Sequence, residues 1–226
     1  PAWVARYRVL AVDLRGHGQS PKPRGPYTLA AFAADVAALL RHLNATPAHV
    51  LGLSLGGAVA QQMALDAPEL VRSLILVNTA ARFVADRWQQ RLVGVRRLAA
   101  VYTRSMDEVA QGVAAGLFPQ PTQQAMRQET AARLAGNDLA AYRATLWALA
   151  RFDVRARLGE IACPTLIVAG EEDATVPLAA KQLLAAHISH SQLALAPHSG
   201  HATPLDQPER FNELVLNFLD EVERRE

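Results

Sequence analysis

The hexapeptide Gly52-Leu53-Ser54-Leu55-Gly56-Gly57 decides how this chain is expected to fold. The apolar run His49–Leu53 leads into it and predicts a strand, whereas the residues from Gly56 to Asp66 have helical spacing and end before Pro68. A serine at a sharp turn from a strand into a helix occupies a strained backbone conformation and projects its hydroxyl above the sheet edge. The hexapeptide therefore indicates a nucleophilic serine in an α/β fold.

The glycines of this turn have steric reasons. Side chains two residues before and two residues after the serine are expected to collide, which accounts for Gly52 and Gly56, and Gly57 lets the helix pack close to the sheet. The start of the helix aims backbone N–H groups at the same point, so the N–H of Leu55 is a ready donor for an oxyanion. The alternative is an ordinary glycine-rich turn between a strand and a helix.

The rest of the chain alternates short apolar runs with helical patterns, which predicts a mostly parallel sheet with helices on both faces. Further strands are predicted at Arg8–Val12, Ser73–Val77, Thr165–Ala169 and Gln192–Ala196. Helices are predicted at Leu29–Leu43, Leu178–His187 and Phe211–Val222.

The alternation stops between residues 82 and 155, where the pattern is helical throughout. We therefore expect a core of residues 1–81 and 156–226 and an inserted all-helical cap of residues 82–155. Its predicted helices are Asp86–Thr103, Asp107–Leu117, Thr122–Ala135 and Asp138–Arg151. Residues 82–157 contain 12 Arg and 6 acidic residues, a net charge of +6. This charge would attract an anionic substrate, although arginines that only solvate helix faces are the simpler explanation.

Composition excludes several classes of protein. The 226 residues are 50% hydrophobic, which is enough for one sizeable core and too apolar for a disordered chain. The net charge of +2 is too balanced for a dedicated nucleic-acid-binding protein, and no apolar run is long enough to cross a membrane. The single cysteine, Cys163, excludes an intrachain disulfide and a cysteine-built zinc site, so we expect a cytoplasmic protein.

A nucleophilic serine needs a base, and the base needs a group that orients it; the chain order expected for this turn is serine, acid, histidine. The loop after Thr165–Ala169 contains Glu171, Glu172 and Asp173. A carboxylate on a loop at the carboxyl end of a strand is well placed to face the serine. Asp173 is the predicted acid, and the two glutamates are its alternatives.

The predicted base lies on the loop Pro197–Pro204, which follows the last predicted strand and contains His198 and His201. His201 is the predicted base because Gly200 allows the loop to bring the ring down to Ser54, and His198 is its alternative. Chemistry of this kind needs no metal and no organic cofactor.

Four segments in the same order resemble those of the α/β-hydrolase superfamily, and the resemblance extends over nearly the whole chain. They are DLRGHGQS (Asp13–Ser20), GLSLGG (Gly52–Gly57), GEEDATVP (Gly170–Pro177) and HSGHATPLDQPERF (His198–Phe211). The resemblance implies that Ser54 is the nucleophile, Asp173 the acid and His201 the base, and that the helical block is the lid. The segment ILVNTAARF (Ile75–Phe83) resembles 3-oxoadipate enol-lactonases and nearby lactonase and esterase branches.

The resemblance implies a serine hydrolase that cleaves a small-molecule carboxylic ester or lactone through an acyl-enzyme. The alternatives are other chemistry on the same triad, such as carbon–carbon bond hydrolysis, acyl transfer or perhydrolysis, and a non-catalytic ligand-binding homologue or inactive fragment. The resemblance to α/β-hydrolases also implies that His17, in the first motif, is structural and fixes its loop by hydrogen bonds.

The family's first three strands precede the first motif, and none is visible before Asp13. We therefore expect an N-terminally truncated chain, the carboxyl-terminal part of a longer hydrolase, without the His-Gly loop that donates the family's second oxyanion N–H. The family's third strand lies between its fourth and fifth strands. The predicted strand Arg8–Val12 would then have no direct neighbour on the side of Ser54.

Overall fold

The computed structural model describes residues 3–84, 99 and 101–225. Its sheet has four parallel strands that lie side by side in chain order. They are β1 (Ala48–Leu53), β2 (Val71–Val77), β3 (Thr165–Gly170) and β4 (Ser191–Ala196). Because all strands are parallel, their carboxyl ends lie along one edge of the sheet, where ligands bind in folds of this class.

Eight α-helices surround or follow this sheet in the described ranges. They are α1 (Leu29–His42), α2 (Leu55–Asp66), α3 (Met106–Leu117), α4 (Gln124–Ala135), α5 (Leu139–Ala150), α6 (Leu178–His187), α7 (Thr203–Asp206) and α8 (Pro208–Glu223). Side chains cap the starts of α1 and α3: the Thr28 hydroxyl accepts from the N–H of Ala31 at 3.0 Å, and Ser105 forms a capping box with Glu108. Most of the predicted helix Asp86–Thr103 lies outside the described residues.

The core lies on both faces of the sheet, as β2 shows by its alternating side chains. Leu74 and Leu76 belong to a cluster with side chains of α1, α2 and α6, among them Phe32, Met63 and Leu184. Ile75 and Val77 point to the opposite face, where side chains of α8 cover them, among them Phe211, Val215 and Phe218. Burial of one such side chain stabilises the fold by about 1.5–3 kcal/mol. The predicted class, a parallel sheet with helices on both faces, is confirmed.

The predicted strand Arg8–Val12 is wrong. The sheet begins at β1, and residues 8–14 form an irregular segment in which Val9 and Val12 are exposed. An apolar β-branched run becomes a strand only where a neighbouring backbone completes its ladder, and the described residues provide none beside this segment. A short apolar run therefore does not identify a strand by itself.

The loop that follows this segment is held by its own side chains. The Asp13 carboxylate accepts from the backbone N–H of Gln19 at 2.9 Å, and Nδ1 of His17 lies 3.0 Å from the carbonyl oxygen of Arg15. The Arg15 guanidinium donates to the carbonyl oxygen of Pro26 at 3.0 Å. These contacts match the structural role expected for His17.

The segment between β2 and β3 contains α3, α4 and α5. Its two ends meet at an isolated antiparallel bridge between Arg82 and Asp153, and the N–H of Val154 donates to the carbonyl oxygen of Ala81 at 3.0 Å. The chain thus leaves and re-enters the sheet region at one place. Among the described residues, no helix has the length and apolar character needed to cross a membrane.

Candidate active site

Ser54 lies between β1 and α2 with φ 52° and ψ −111°, a strained combination for a residue with a side chain. Its N–H donates to the carbonyl oxygen of Val77 at 2.9 Å, and its carbonyl oxygen accepts from the Thr79 hydroxyl at 2.7 Å. Val77 is the last residue of the adjacent strand β2, and Thr79 follows it by two residues. The strained turn is therefore held by the neighbouring strand as well as by its own sequence.

The glycines of the turn differ in what they permit. A Cβ on Gly52 would lie 2.2 Å from the carbonyl carbon of Gly56, and a Cβ on Gly57 would lie 2.6 Å from the Cβ of Thr79. Our steric expectation for Gly56 is wrong, because a Cβ there would meet nothing within 4 Å. The turn brings the backbone of Gly56 against the Cα of Gly52, so of these two glycines only Gly52 is crowded.

The Asp173 carboxylate is fully buried in the turn after β3. Its Oδ1 accepts from the backbone N–H groups of Thr175 at 2.9 Å and Val176 at 3.1 Å. Its Oδ2 accepts from the Lys181 ammonium at 2.7 Å. Three donors thus compensate the loss of water around a buried charge.

His201 lies beside Asp173. Its Nδ1 is 3.0 Å from Oδ1 of Asp173, and its side chain is 7% exposed. With Nδ1–H donating to the carboxylate, Nε2 is the ring nitrogen left to accept a proton. This contact is the one by which a carboxylate orients a histidine base.

The alternatives raised by the sequence lie elsewhere. Glu171 and Glu172 are exposed, and the His198 side chain is 86% exposed. Nδ1 of His198 lies 3.6 Å from the Glu172 carboxylate, so these two surface side chains face each other. The described contacts therefore join Asp173 to His201 and leave the alternatives in solvent.

Opposing effects act on the pKa of Asp173. Burial raises it, whereas the hydrogen bonds and charges of His201 and Lys181 lower it, and the result is a pKa below the ordinary value. The pKa of Lys181 is also lowered, because burial outweighs the attraction of Asp173. The carboxylate is consequently ionised at neutral pH, as the orientation of an imidazolium requires.

Asn78, directly after β2, is a site residue that sequence reasoning missed. Its buried Nδ2 donates to the carbonyl oxygen of His201 at 2.9 Å, to that of Gly200 at 3.1 Å and to the Thr203 hydroxyl at 2.8 Å. Its Oδ1 accepts from the N–H of Gly170, at the end of β3, at 2.8 Å. The available signal was an amide side chain directly after the apolar run of β2.

Lys181 is the second residue that sequence reasoning missed. It lies on α6 with a side chain that is 0% exposed, and its ammonium also donates to the carbonyl oxygen of Val176 at 2.8 Å. Lysines are almost never fully buried without a partner. The available signal was a lysine three residues before the buried Leu184, on the apolar face of an amphipathic helix.

The serine turn and the histidine loop are hydrogen-bonded to two consecutive residues, Val77 and Asn78. The N–H of Ser54 donates to the carbonyl oxygen of Val77, and the carbonyl oxygen of His201 accepts from the side chain of Asn78. Leu55 is the first residue of α2, and an N–H at that position has no acceptor within its own helix. The end of β2 thus anchors Ser54 and His201 to one edge of the sheet.

Two other kinds of site find little support. No group of three or more His, Cys, Asp and Glu side chains in the described ranges is placed to hold a metal ion. Cys163 is half-buried, and burial raises the pKa of its thiol, which disfavours the nucleophilic thiolate.

Comparison with known proteins identifies the family of the chain. The chain matches the sequence model of the alpha/beta hydrolase fold family over residues 2–208, and it belongs to that family. It is 35% identical to 3-oxoadipate enol-lactonase 2 from Acinetobacter baylyi, over 93% of this chain and 78% of that protein. It is 37% identical to a protein of Variovorax paradoxus that is named carbamate hydrolase RutD, over 96% and 83% of the two chains.

A solved structure supports the same assignment. The enol-lactonase from Burkholderia xenovorans LB400 superimposes with a TM-score of 0.89 and 26% identity, over 97% of this chain and 83% of that one. The predicted resemblance to α/β-hydrolases is confirmed, and the chain is an enzyme of the hydrolase class.

Proposed function

We propose that this hydrolase cleaves a carboxylic ester or lactone through an acyl-enzyme, with Ser54 as nucleophile, His201 as base and Asp173 as the orienting acid. The observation that carries the proposal is the buried pair of Asp173 and His201, at 3.0 Å, on the sheet edge where Ser54 occupies its strained turn. The similarity to enol-lactonases supports the substrate class.

The reaction takes place in two stages. Nε2 of His201 accepts the hydroxyl proton of Ser54 while Oγ attacks the substrate carbonyl, and the N–H of Leu55 donates to the oxyanion. His201 then returns the proton to the departing alkoxide, which stays attached to the acyl group when the substrate is a lactone. In the second stage His201 deprotonates water, which attacks the acyl-enzyme and releases the carboxylic acid and the free Ser54 hydroxyl.

Charge placement supports these roles. Each stage creates an imidazolium on His201, and the ionised Asp173 stabilises it. The first turn of α2 directs backbone N–H groups and the positive end of the helix dipole towards the group attached to Ser54. The carbonyl oxygen that becomes negative in the transition state is thereby stabilised more than the neutral ester is.

We propose that residues 82–155 are the cap, and that residues 1–81 and 156–226 are the core. The bridge between Arg82 and Asp153 supports this division, because it closes the helical segment at its base. A segment closed at its base rests on the core without interrupting the sheet. We expect this cap to cover the carboxyl edge of the sheet, where the substrate would enter.

Several described arginines of the cap have structural partners within the protein. Arg127 donates to the carbonyl oxygen of Phe118, Arg143 to that of Val101 and Arg155 to the Asp153 carboxylate. We therefore propose that the enzyme has little preference for an anionic substrate over a neutral one. The test compares a neutral ester with a carboxylate-bearing ester at low and high salt. A preference for the anion that salt abolishes would contradict this proposal.

The proposal is tested with Ser54→Ala, with Ser189→Ala at an exposed serine as the matched control. On a chromogenic short-chain ester, the Ser54 variant is expected to lose at least about a thousandfold in kcat, and the control to keep wild-type activity. A fluorophosphonate label is expected to modify the wild type and the control, and to spare Ser54→Ala. Retained activity or labelling of another residue would overturn the proposal.

A second candidate is hydrolysis of a carbamate by the same three residues, favoured by the similarity to the protein named carbamate hydrolase RutD. A panel of esters, lactones and carbamates ranks these classes by kcat/KM. Added alcohol or peroxide tests acyl transfer and perhydrolysis, because either would capture the acyl group in place of water. A carbon–carbon bond substrate completes the panel.

A further inference from the structure

The triad carboxylate has a second charged partner that the reaction itself does not use. Asp173 faces His201 with Oδ1 and the Lys181 ammonium with Oδ2, at 3.0 and 2.7 Å. The side chains of both members of the Asp173–Lys181 ion pair are 0% exposed. A buried lysine is costly, and its position behind the acid gives it a direct influence on the charge that His201 experiences.

The remaining charged groups around Lys181 face away from it. Strands β3 and β4, which pack against α6, contain no charged residue. A 3-10 helix, Arg155–Glu160, also contacts α6. Charged side chains of this helix and of the nearby loops are paired with each other or exposed: Arg155 with Asp153, Arg157 with Glu160, Glu172 with His198, and Glu171 and His187 in solvent. Within the described residues, the charge of Lys181 therefore acts on Asp173, whose other carboxylate oxygen contacts His201.

The summed charge of Lys181, Asp173 and His201 decides whether the lysine favours or disfavours a proton on His201. With Lys181 charged and Asp173 ionised, the group is neutral while the imidazole is neutral, and protonation of His201 gives it a net positive charge. Without the ammonium, Asp173 and a protonated His201 would form a neutral pair instead. The lysine thus disfavours the imidazolium in the resting enzyme.

Building on the proposed function, we propose that Lys181 is a positioning residue: its ammonium compensates the charge of the buried Asp173 carboxylate, holds Oδ1 towards Nδ1 of His201 and opposes a further positive charge on that imidazole. Removal of the ammonium is expected to shift the pH dependence of activity in the same direction by either of two routes. An ionised Asp173 would attract a proton onto His201 more strongly, and an Asp173 that became protonated would itself inactivate the triad at acidic pH. Both routes move the onset of activity to higher pH.

The first test measures kcat/KM against pH for Lys181→Met and Lys181→Gln, which remove the charge, and for Lys181→Arg, which keeps it. The acidic limb is expected to move up by about one pH unit in the first two variants and to stay near the wild-type position in the third. Lys22→Met is the matched control, because Lys22 is exposed and is the only other lysine of the chain. A uniform loss of activity at every pH, with an unchanged limb, would overturn the proposal.

A second measurement uses the wild-type protein and therefore does not depend on whether the variants fold. Lysine labelled with ¹³C at Cε gives two signals, and Lys22→Met assigns them. The Lys181 signal is expected to shift with the protonation of His201, and this step is expected to be absent in His201→Gln. A Lys181 signal without a step that depends on His201 would overturn the proposal.

The two proposals fail separately. If Ser54→Ala keeps its activity, the proposed function is wrong, whereas the coupling of Lys181 to His201 in the labelled protein still decides the role of the lysine. If activity depends on Ser54 but the charge-removing variants keep the wild-type limb, the proposed function stands and the role assigned to Lys181 falls.

Discussion

The side-chain amide of Asn78 donates to the carbonyl oxygen of His201 at 2.9 Å, across 123 residues of sequence. The same amide accepts from Gly170 at the end of β3, and the backbone N–H of Asn78 donates to the carbonyl oxygen of Val168 in that strand. One buried side chain thus sets the position of the histidine loop relative to the strand that leads to Asp173. The backbone N–H of Ser54 donates to the carbonyl oxygen of Val77, the residue before Asn78, so the end of β2 anchors the serine turn as well.

Removal of this amide is expected to lower both stability and kcat. Asn78→Ala leaves buried carbonyl and N–H groups without partners, and we expect a loss of about 2–4 kcal/mol in the free energy of unfolding. The histidine loop loses its anchor, so kcat is expected to fall more than KM changes. Denaturant unfolding and steady-state kinetics measure the two effects.

Two controls separate the side chain from the backbone at this position. Asn78 has φ 44°, so Asn78→Ala also adds backbone strain, whereas Asn78→Gly removes the side chain without that strain. Asn78→Gly is expected to remain well below the wild type in kcat, and Asn217→Ala, at an exposed position of α8, to equal it. Full activity in Asn78→Gly would contradict the anchoring role.

The two histidines of the loop are expected to differ sharply on substitution. His201→Gln removes the imidazole that contacts Asp173 and is expected to lower kcat by at least about a thousandfold. His198→Gln alters an exposed ring that faces Glu172 and is expected to keep kcat within about twofold of the wild type. Kinetics on a chromogenic ester measure both, and equal losses in the two variants would refute the assignment of the base.

The lowered pKa of Asp173 predicts that the stability of the fold depends on pH. The pKa of Asp173 in the folded protein lies below its ordinary value, so its ionisation stabilises the fold above about pH 4, and this contribution is lost as the pH falls through the folded value. Asp173→Asn is expected to be less stable than the wild type at pH 7. The difference is expected to shrink below about pH 4, because Asp173 then becomes protonated in the unfolded wild type while it is still ionised in the folded protein, and the contribution of the ionisation is gone once the pH lies below the folded pKa.

Denaturant unfolding at several pH values tests this prediction. Glu172→Gln is the matched control, since Glu172 is an exposed carboxylate of the same turn and is expected to leave the unfolding free energy nearly unchanged at each pH. A stability difference between Asp173→Asn and the wild type that stays constant down to pH 3 would rule out the stabilising ionisation.

The three glycines around Ser54 are expected to respond unequally to alanine. Gly52→Ala and Gly57→Ala place a Cβ at 2.2 Å from the backbone of Gly56 and 2.6 Å from Thr79, and each is expected to cost several kcal/mol or to prevent folding. Gly56→Ala meets nothing within 4 Å and replaces a helical glycine, so we expect a stability equal to the wild type or higher by about 0.5–1 kcal/mol. Thermal unfolding of the three variants checks the order.

Most of the fold and of the candidate site could be predicted from the local sequence pattern and from the order of the motifs along the chain. The strand before Ser54, the helix after it and the loops with Asp173 and His201 were predictable, because hydrophobic periodicity and turn residues act over a few neighbouring positions. The same reasoning failed for Arg8–Val12, since a strand also depends on a partner that the local sequence does not contain. It failed for Gly56 because steric crowding depends on which backbone passes nearby.

By itself, the sequence determined that the chain forms a parallel α/β fold with a serine at a sharp turn and, further along, an acid and a histidine in the order typical of the family. Only the tertiary structure decided which carboxylate meets which histidine, and that Asn78 and Lys181 support them. The physical reason is that burial and hydrogen bonding are properties of assembled neighbours. An amide after a strand or a lysine on a helix has a role only once distant segments have closed around it.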